Sequence, residues 1–544
     1  MKWLSRLTYL YLLLPFILFV LGWLRLFIAL PIAALMVWVL WRLWNHDQGS
    51  ETEPSSLRIT IYALLITGLW ILFSGVGGYA FQNWDHHWRN AVFRDLITLD
   101  WPVYYTQPEQ GPIKMLVYYV GYWLPAALTG KLLSWKFANF VLFLWTWLGV
   151  LLVALHLSFM LKTSSLKAAL LLILFSGMDA LGALFFAQEY PTLWPLVQHL
   201  EIWGGNLQYS SFTTQLFWVF NQAVPAWLCI TVFVTLRERS VRPKSLEHHD
   251  RDSSPATLAQ NDKPGIMTLA WALCFFFAPL ASIGLLPYLL IEWISDYLRF
   301  KKDTDEGRRT QIDQPESAKS ASNRVPQEWV RSIRFDILFA AAVVVAISYI
   351  FFSSNTAAQE RGLQALTLKD VLIFFLLEGG ILWLLLAPRL WRDPRWVVTG
   401  ILQIIMPFIQ FGSDRDFVMR ASIPLLFYLM VWAGEAIFQN VISRFYRVAI
   451  LFILIIGALT PLYEINRSVS RTFEYYFLLK EDQRAHPSAE PATHLAPGVA
   501  PEAEHPGAIV ADDIQSLRFM ADLLSKNFVA NVRQSLYYRY VAPH

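Results

Sequence analysis

Long apolar stretches alternate with short polar ones through most of the chain. Each apolar stretch runs about 20 residues, the length that spans a hydrocarbon core. The first occupies residues 3–44. It is far too long for a signal peptide and has no small-residue cleavage site, so it predicts two helices turning near Gly22–Arg25. Further spans are predicted at about 59–80, 113–130, 137–160, 166–187, 213–236, 266–283, 284–299, 334–352, 369–387, 398–412, 421–440 and 447–464. The pattern predicts an all-α polytopic membrane protein of about 13–14 transmembrane helices, without an internal repeat. Residues 1–464 form the transmembrane domain, with loops at 237–265 and 300–335, and 465–544 form a small tail. Within those loops, 240–263 and 303–327 are rich in Ser, Asp, Glu, Gln and Pro and read as disordered linkers. The tail has a Pro/Ala/His/Glu-rich part (485–507) and a helical-looking part (511–530) that Asp512 and Asp513 are placed to cap.

Composition supports this picture. Hydrophobic residues make up 56% of the 544, charged residues only 16%, and mean hydropathy is +0.40. A soluble domain carries about 25% charge. The net charge of +3, with no long basic stretch interleaved with aromatics, excludes a nucleic-acid partner. Cys229 and Cys274 lie in apolar runs without a CxxC partner, which excludes a disulfide scaffold and a cysteine-ligated metal.

Orientation follows from Lys and Arg in short loops. Residues 237–265 carry six, 299–336 carry nine, 388–397 carry Arg389, Arg392 and Arg395, and 441–447 carry Arg444 and Arg447. All four are placed in the cytoplasm. The loop 188–212 has none and is placed outside, with 353–368, 413–420 and the tail. One count does not close: if 81–112 is outside, a spanning 113–130 gives later helices the wrong parity. Either 113–130 is re-entrant or interfacial, or 7–44 is one long element; its shortness and Pro125 favour the first.

The richest polar segment outside the linkers is 81–114. Charges and aromatics alternate there, and Asp85 and Arg89 form an i,i+4 pair on a predicted helix. An amphipathic interfacial helix held by Trp84, Trp88 and Trp101 accounts for part of it. The density of Asp, His and Arg exceeds what interfacial seating needs.

Several motifs in this region carry a resemblance: Trp84-Asp85-His86, Phe93-Arg94-Asp95-Leu96, Leu99-Asp100-Trp101-Pro102-Val103, then Gly111-Pro112-Ile113-Lys114 before a helix with Tyr118, Tyr119, Tyr122 and Trp123. Phe143–Leu161 with Gly149, the basic turn Lys162–Lys167, and Asp414-Arg415-Asp416-Phe417-Val418-Met419-Arg420-Ala421-Ser422-Ile423-Pro424 follow in order. The chain here resembles the GT-C superfamily of membrane glycosyltransferases, of the protein O-mannosyltransferase and lipid A aminoarabinose-transferase type. The resemblance covers about residues 59–187 and a stretch near 413–432. The family often has a second acid where this chain has His86, and its proline doublet is reduced here to Gly111-Pro112.

The resemblance implies a GT-C-like bundle with amphipathic interfacial helices in the first outer loop. It implies an enzyme that takes a sugar from a polyprenyl-phosphate donor at the outer face of a bacterial cytoplasmic membrane and passes it, with inversion, to an acceptor hydroxyl on a lipid, glycan or protein. Asp85 is the implied general base. Arg89 would lower its pKa and orient it, and Arg415 and Arg420 would clamp the departing phosphate, although simple snorkelling to the interface also accounts for those two arginines. His86 and Lys114 are assigned with Arg89 to substrate binding.

The loop 188–212 is the second polar outer segment. It sets aromatic rings beside Gln198, His199, Glu201, Asn206 and Gln208, with a turn at Gly204-Gly205. His199 and Glu201 are assigned to substrate binding; their i,i+2 spacing, with Asp85, is a weak signal for a divalent ion, and no metal or other cofactor is assigned. Asp179 reads as a cap or polar contact. Glu378, before Gly379-Gly380, and Glu435 lie in apolar spans, where a charge flags function. A transporter or flippase for lipid-linked sugar would use such residues and predicts paired broken helices. It is the rival reading, and a non-catalytic assembly subunit is the third.

Overall fold

The computed structural model describes residues 2–46, 57–105, 113–186, 200–241, 263–309, 334–355, 361–412, 416–474, 516–517 and 527–543. The chain is an all-α polytopic membrane protein. Among the described residues nine helices are long and apolar enough to cross a membrane, and Ile61–Phe73 and Lys263–Phe277 are apolar but shorter.

Lys2–Trp23 (α1) and Leu26–His46 (α2) form a hairpin that turns at Leu24-Arg25. Leu57–Phe73 (α3) is followed by Gly75, Gly77 and Gly78, whose φ angles of +80°, +82° and +75° favour glycine. After His86–Thr98 (α4) and Leu124–Leu132 (α5), the chain enters Trp135–Met160 (α6) through Ser134, whose side chain accepts the Phe137 N–H. A Cβ on Gly77 would lie 2.9 Å from the Asn139 carbonyl, so the end of α3 and the start of α6 lie together. The described residues between α3 and α6, 74–105 and 113–134, therefore sit at one end of the bundle.

This closes the parity count. Residues 113–132 make no span. They form a strand (Lys114–Leu116), a 3-10 turn (Val120–Trp123) and α5, which Pro125 starts as a new helix. Apolar length alone counted 113–130 as a span. The expected span 398–412 is not one helix: a helix of 12 residues (Pro394–Ile405), a 3-10 turn with Pro407 and a strand carry the chain from the Arg395 end to the end that holds α4.

Ser165–Leu174 (α7) and Asp179–Phe186 (α8) are one apolar span broken at 175–178. Phe212–Val241 (α9) kinks at Val219 (φ −135°, ψ 36°). Lys263–Phe277 (α10) and Pro279–Arg309 (α11) meet at Ala278, so α9 and α11 run further into the expected linkers than their apolar content suggested. Phe335–Phe352 (α12) follows. Leu368–Phe375 (α13) and Ile381–Leu390 (α14) are another single span, interrupted by a π turn at Leu376–Gly380. Pro394–Ile405 (α15), Asp416–Ala421 (α16), Ile423–Phe438 (α17), Arg444–Gly457 (α18), Leu459–Phe473 (α19) and Leu536–Tyr540 (α20) complete the helices.

Two small sheets lie at the end that holds α4. Tyr104–Tyr105 (β1), Lys114–Leu116 (β2) and Val529–Asn531 (β5) form an antiparallel sheet in the order β1-β2-β5. Arg361–Leu363 (β3) pairs with Ile409–Phe411 (β4). The end of the helical-looking stretch 511–530 is thus a strand, fixed by pairing with β2; Asp512 and Asp513 lie outside the described residues. Asn355 Nδ2 donates to the carbonyls of Val117 (2.6 Å) and Asn527 (2.9 Å), which brings the α12 end to the same place.

The opposite end is basic and tied by ion pairs. Lys263 and Arg395 both reach Glu292 (2.9 and 3.2 Å), Arg395 and Arg237 both reach Asp393 (2.6 and 3.3 Å), and Arg42 pairs with Asp336. Arg389 pairs with Glu435 at 2.7 Å, so the expected mid-membrane charge at Glu435 is a partnered one near the basic end.

Candidate functional site

Asp85 stands directly before α4, and Arg89 one turn later donates to its Oδ2 at 2.8 Å. The carboxylate side chain keeps 28% of its exposure and the guanidinium 5%, so the acid faces outward and the cation lies behind it. Arg89 also reaches Asn221 Oδ1 on α9 at 3.4 Å, while its Nη1 and the Asn221 Nδ2 are buried without a hydrogen-bond partner. The α9 kink makes this contact possible. It releases the Phe217 carbonyl, which accepts from Asn83 Nδ2 (2.8 Å) and receives His86 Nε2 (3.0 Å). Nothing but its polarity in an apolar run marks Asn221 in the sequence.

His86 is buried at the α4–α9 interface, its ring 5.6 Å from that of Phe220. Burial, then the Arg89 charge, pushes it down to about 3, so it is neutral. Lys114 is exposed on β2, paired in register with Tyr105 and Asn531. His199 and Arg415 lie outside the described residues.

Arg420, on α16, is buried and donates to Asp416 Oδ2 at 2.6 Å, with its Nε unpartnered. Tyr118 connects the two ion pairs. Burial raises its pKa, and its hydroxyl lies in the field of Arg89, Arg420, Asp85 and Asp416 together. Tyr119, 4.3 Å from it ring to ring, lies in the field of Arg420 and Asp416. The Asp85–Arg89 and Asp416–Arg420 pairs, distant in the chain, thus both act through their charge on the adjacent Tyr118, at the end of the bundle opposite the basic network.

Glu201 belongs to a second cluster. Its carboxylate accepts from Gln208 Nε2 (2.7 Å) and the Ser211 N–H (2.8 Å), and burial, then the Asp179 charge, raises it to about 8. Trp203 Nε1 donates to both Asp179 (3.2 Å) and Glu378 (3.0 Å), and Ser176 Oγ donates to Asp179 (2.9 Å). The Met178 N–H donates to the Leu377 carbonyl at 2.9 Å, so the break between α7 and α8 faces the π turn between α13 and α14. Among the described residues no group of His, Cys, Asp or Glu is arranged to hold a metal ion. Glu201 thus groups with Asp179 and Glu378, which share the Trp203 N–H, and not with Asp85.

Comparison of the chain with protein-family models, with curated proteins and with solved structures finds no match.

Proposed function

We propose that the chain is an inverting GT-C-type glycosyltransferase that works at the outer face of a bacterial cytoplasmic membrane, using a polyprenyl-phosphate sugar as donor and a lipid, glycan or protein hydroxyl as acceptor. The observation that carries this reading is the partly open Asp85 carboxylate backed by the buried Arg89, with a second buried arginine, Arg420, paired to Asp416 and acting with them on Tyr118 through its charge. Such a reaction needs a carboxylate open to an incoming alcohol and cations beside the departing phosphate. Asp85 is partly open and Arg89 holds its orientation.

In the proposed step the acceptor O–H gives its proton to the Asp85 carboxylate as its oxygen bonds to the anomeric carbon. The bond from that carbon to the phosphate oxygen breaks, and its electron pair leaves with the polyprenyl phosphate. The guanidinium of Arg420, with that of Arg415, is assigned to hold the phosphate, since its planar fork matches phosphate oxygens. His86, buried and neutral, supports the Asp85 segment from behind rather than meeting substrate.

Transport of a lipid-linked sugar is the second reading, and one observation favours it. Two interrupted helices meet at Asp179 and Glu378, the kind of paired discontinuity transporters use at a coupling site. One comparison separates the two. Asp85→Asn keeps the side-chain volume, and in washed membranes it is expected to lower transfer of radiolabelled sugar from a polyprenyl-phosphate donor by at least about a thousandfold, with normal expression and melting temperature. Full transfer by that variant sinks the enzyme reading. Loss of lipid-linked sugar movement in Glu378→Gln, with Asp85→Asn unaffected, establishes the second.

A further inference from the structure

Residues 527–543, at the C-terminal end of the chain, are built into the first outer loop. β5 pairs with β2 in the register Lys114↔Asn531, Met115↔Ala530, Leu116↔Val529. The Val117 N–H donates to the Phe528 carbonyl (2.9 Å) and the Val532 N–H to the Ile113 carbonyl (3.1 Å), which extends the ladder at both ends. Beyond β5, Tyr537 OH donates to the Trp23 carbonyl. The Arg25 N–H and Nε donate to the carbonyls of Val541 (3.0 Å) and Ala542 (2.8 Å). The Phe528 ring lies 4.5 Å from the Tyr118 ring. Tyr118 lies in the electrostatic field of both arginine–aspartate pairs.

We propose that residues 527–543 are an intramolecular clamp: the chain's own end, added as a strand to the edge of β2, fixes Tyr118 against the Asp85–Arg89 and Asp416–Arg420 pairs, with Phe528 as the positioning residue. Strand addition suits this task because main-chain hydrogen bonds supply the hold and alternate side chains supply the aim. In this sheet β1 covers one edge of β2, and β5 covers the other. Phe528 sits where the strand begins, so removing its ring frees Tyr118 on one side without cutting the ladder. The effect of the clamp on ligand binding rests on the reading of that cluster as the glycosyltransferase site; the clamp itself does not.

Two measurements on the full-length protein in detergent test the clamp alone. Leu116→Cys with Val529→Cys is expected to cross-link under mild oxidation, detected as retention of the tail after cleavage at a protease site inserted near residue 495. Leu116→Cys with Ala530→Cys, whose side chains leave opposite faces, is expected not to. Hydrogen exchange of peptides covering 113–120 is expected to rise about tenfold in Phe528→Ala, and to stay at the wild-type rate in Phe528→Tyr and in the exposed control Arg533→Ala. Equal cross-linking of both cysteine pairs, or unchanged exchange in Phe528→Ala, overturns the clamp.

A third measurement tests its link to the site. Undecaprenyl phosphate in micelles is expected to bind Phe528→Ala about fivefold more weakly than wild type at unchanged melting temperature, with Phe528→Tyr restored. Faster exchange with undiminished binding in Phe528→Ala breaks the link. A wild-type protein that binds no undecaprenyl phosphate sinks the glycosyltransferase reading instead, and leaves the clamp to be decided by the first two results.

Discussion

Arg89 touches Asp85 with one nitrogen and Asn221 with another, and leaves a third buried and unpartnered. A buried cation so placed makes its carboxylate partner hard to replace by a neutral apolar group, because removing one member of a buried pair leaves the other uncompensated. Glu201 gives the residue scale its pH prediction. Its folded value of about 8 exceeds the ordinary 4.5, so between those values the folded state holds more protons than the unfolded one. Stability from this group is fully present below about pH 4.5 and is lost as pH rises through about 8. Glu201→Gln is expected to remove that slope, measured as melting temperature against pH from 5 to 8.5; an unchanged slope rules it out. The Asp85–Arg89 pair was legible in the sequence because i,i+4 is a local relation. The partners of Glu201 were not, because Asp179 and Glu378 come from two other spans and only packing joins them.

Helices, at the next scale, show where reading by apolar length succeeds and where it stops. The α1–α2 hairpin was visible because residues 3–44 are too long for one crossing and carry Gly22 and Arg25 midway. Residues 113–130 form β2 and α5 instead of a span, and 398–412 crosses as α15 and β4 instead of one helix, because Pro125 and Pro407 redirect the backbone and partner strands complete it. The break at Gly379-Gly380 is visible as a glycine pair in an apolar run, whereas its partner break at 175–178 lies inside an expected continuous span, 166–187. The two breaks fit each other closely. A Cβ on Gly177 would collide with the Glu378 carboxylate. Gly177→Ala is therefore expected to destabilise the protein by about 2 kcal/mol, seen as a lower melting temperature in detergent. A neutral result would mean that the breaks are looser than their contacts indicate.

For the whole molecule, charge does what it did in the loop count. The basic loops share one end, and the segments with Asp85, Tyr118 and Arg420 share the other. The basic end is held by a chain of ion pairs, Lys263–Glu292–Arg395–Asp393–Arg237, with most of its members buried. Arg395→Ala leaves Glu292 and Asp393 short of a cation and is expected to cost about 3 kcal/mol, measured as loss of folded protein on heating in mild detergent. Restored melting behaviour in Arg395→Lys would show that charge alone suffices; continued loss would show that the forked guanidinium geometry is required.

The union of β2 with β5 has a consequence for how the molecule is made. Loop 74–134 leaves the ribosome early and must wait for the last residues of the chain before its sheet is complete. All the intervening helices have to be inserted first. A polypeptide stopped between residues 421 and 526 would carry both arginine–aspartate pairs but leave one edge of β2 without its partner strand. A purification tag fused after His544 would sit beside the same loop, and the N-terminal end, on the far side of the bundle, is the place to put one.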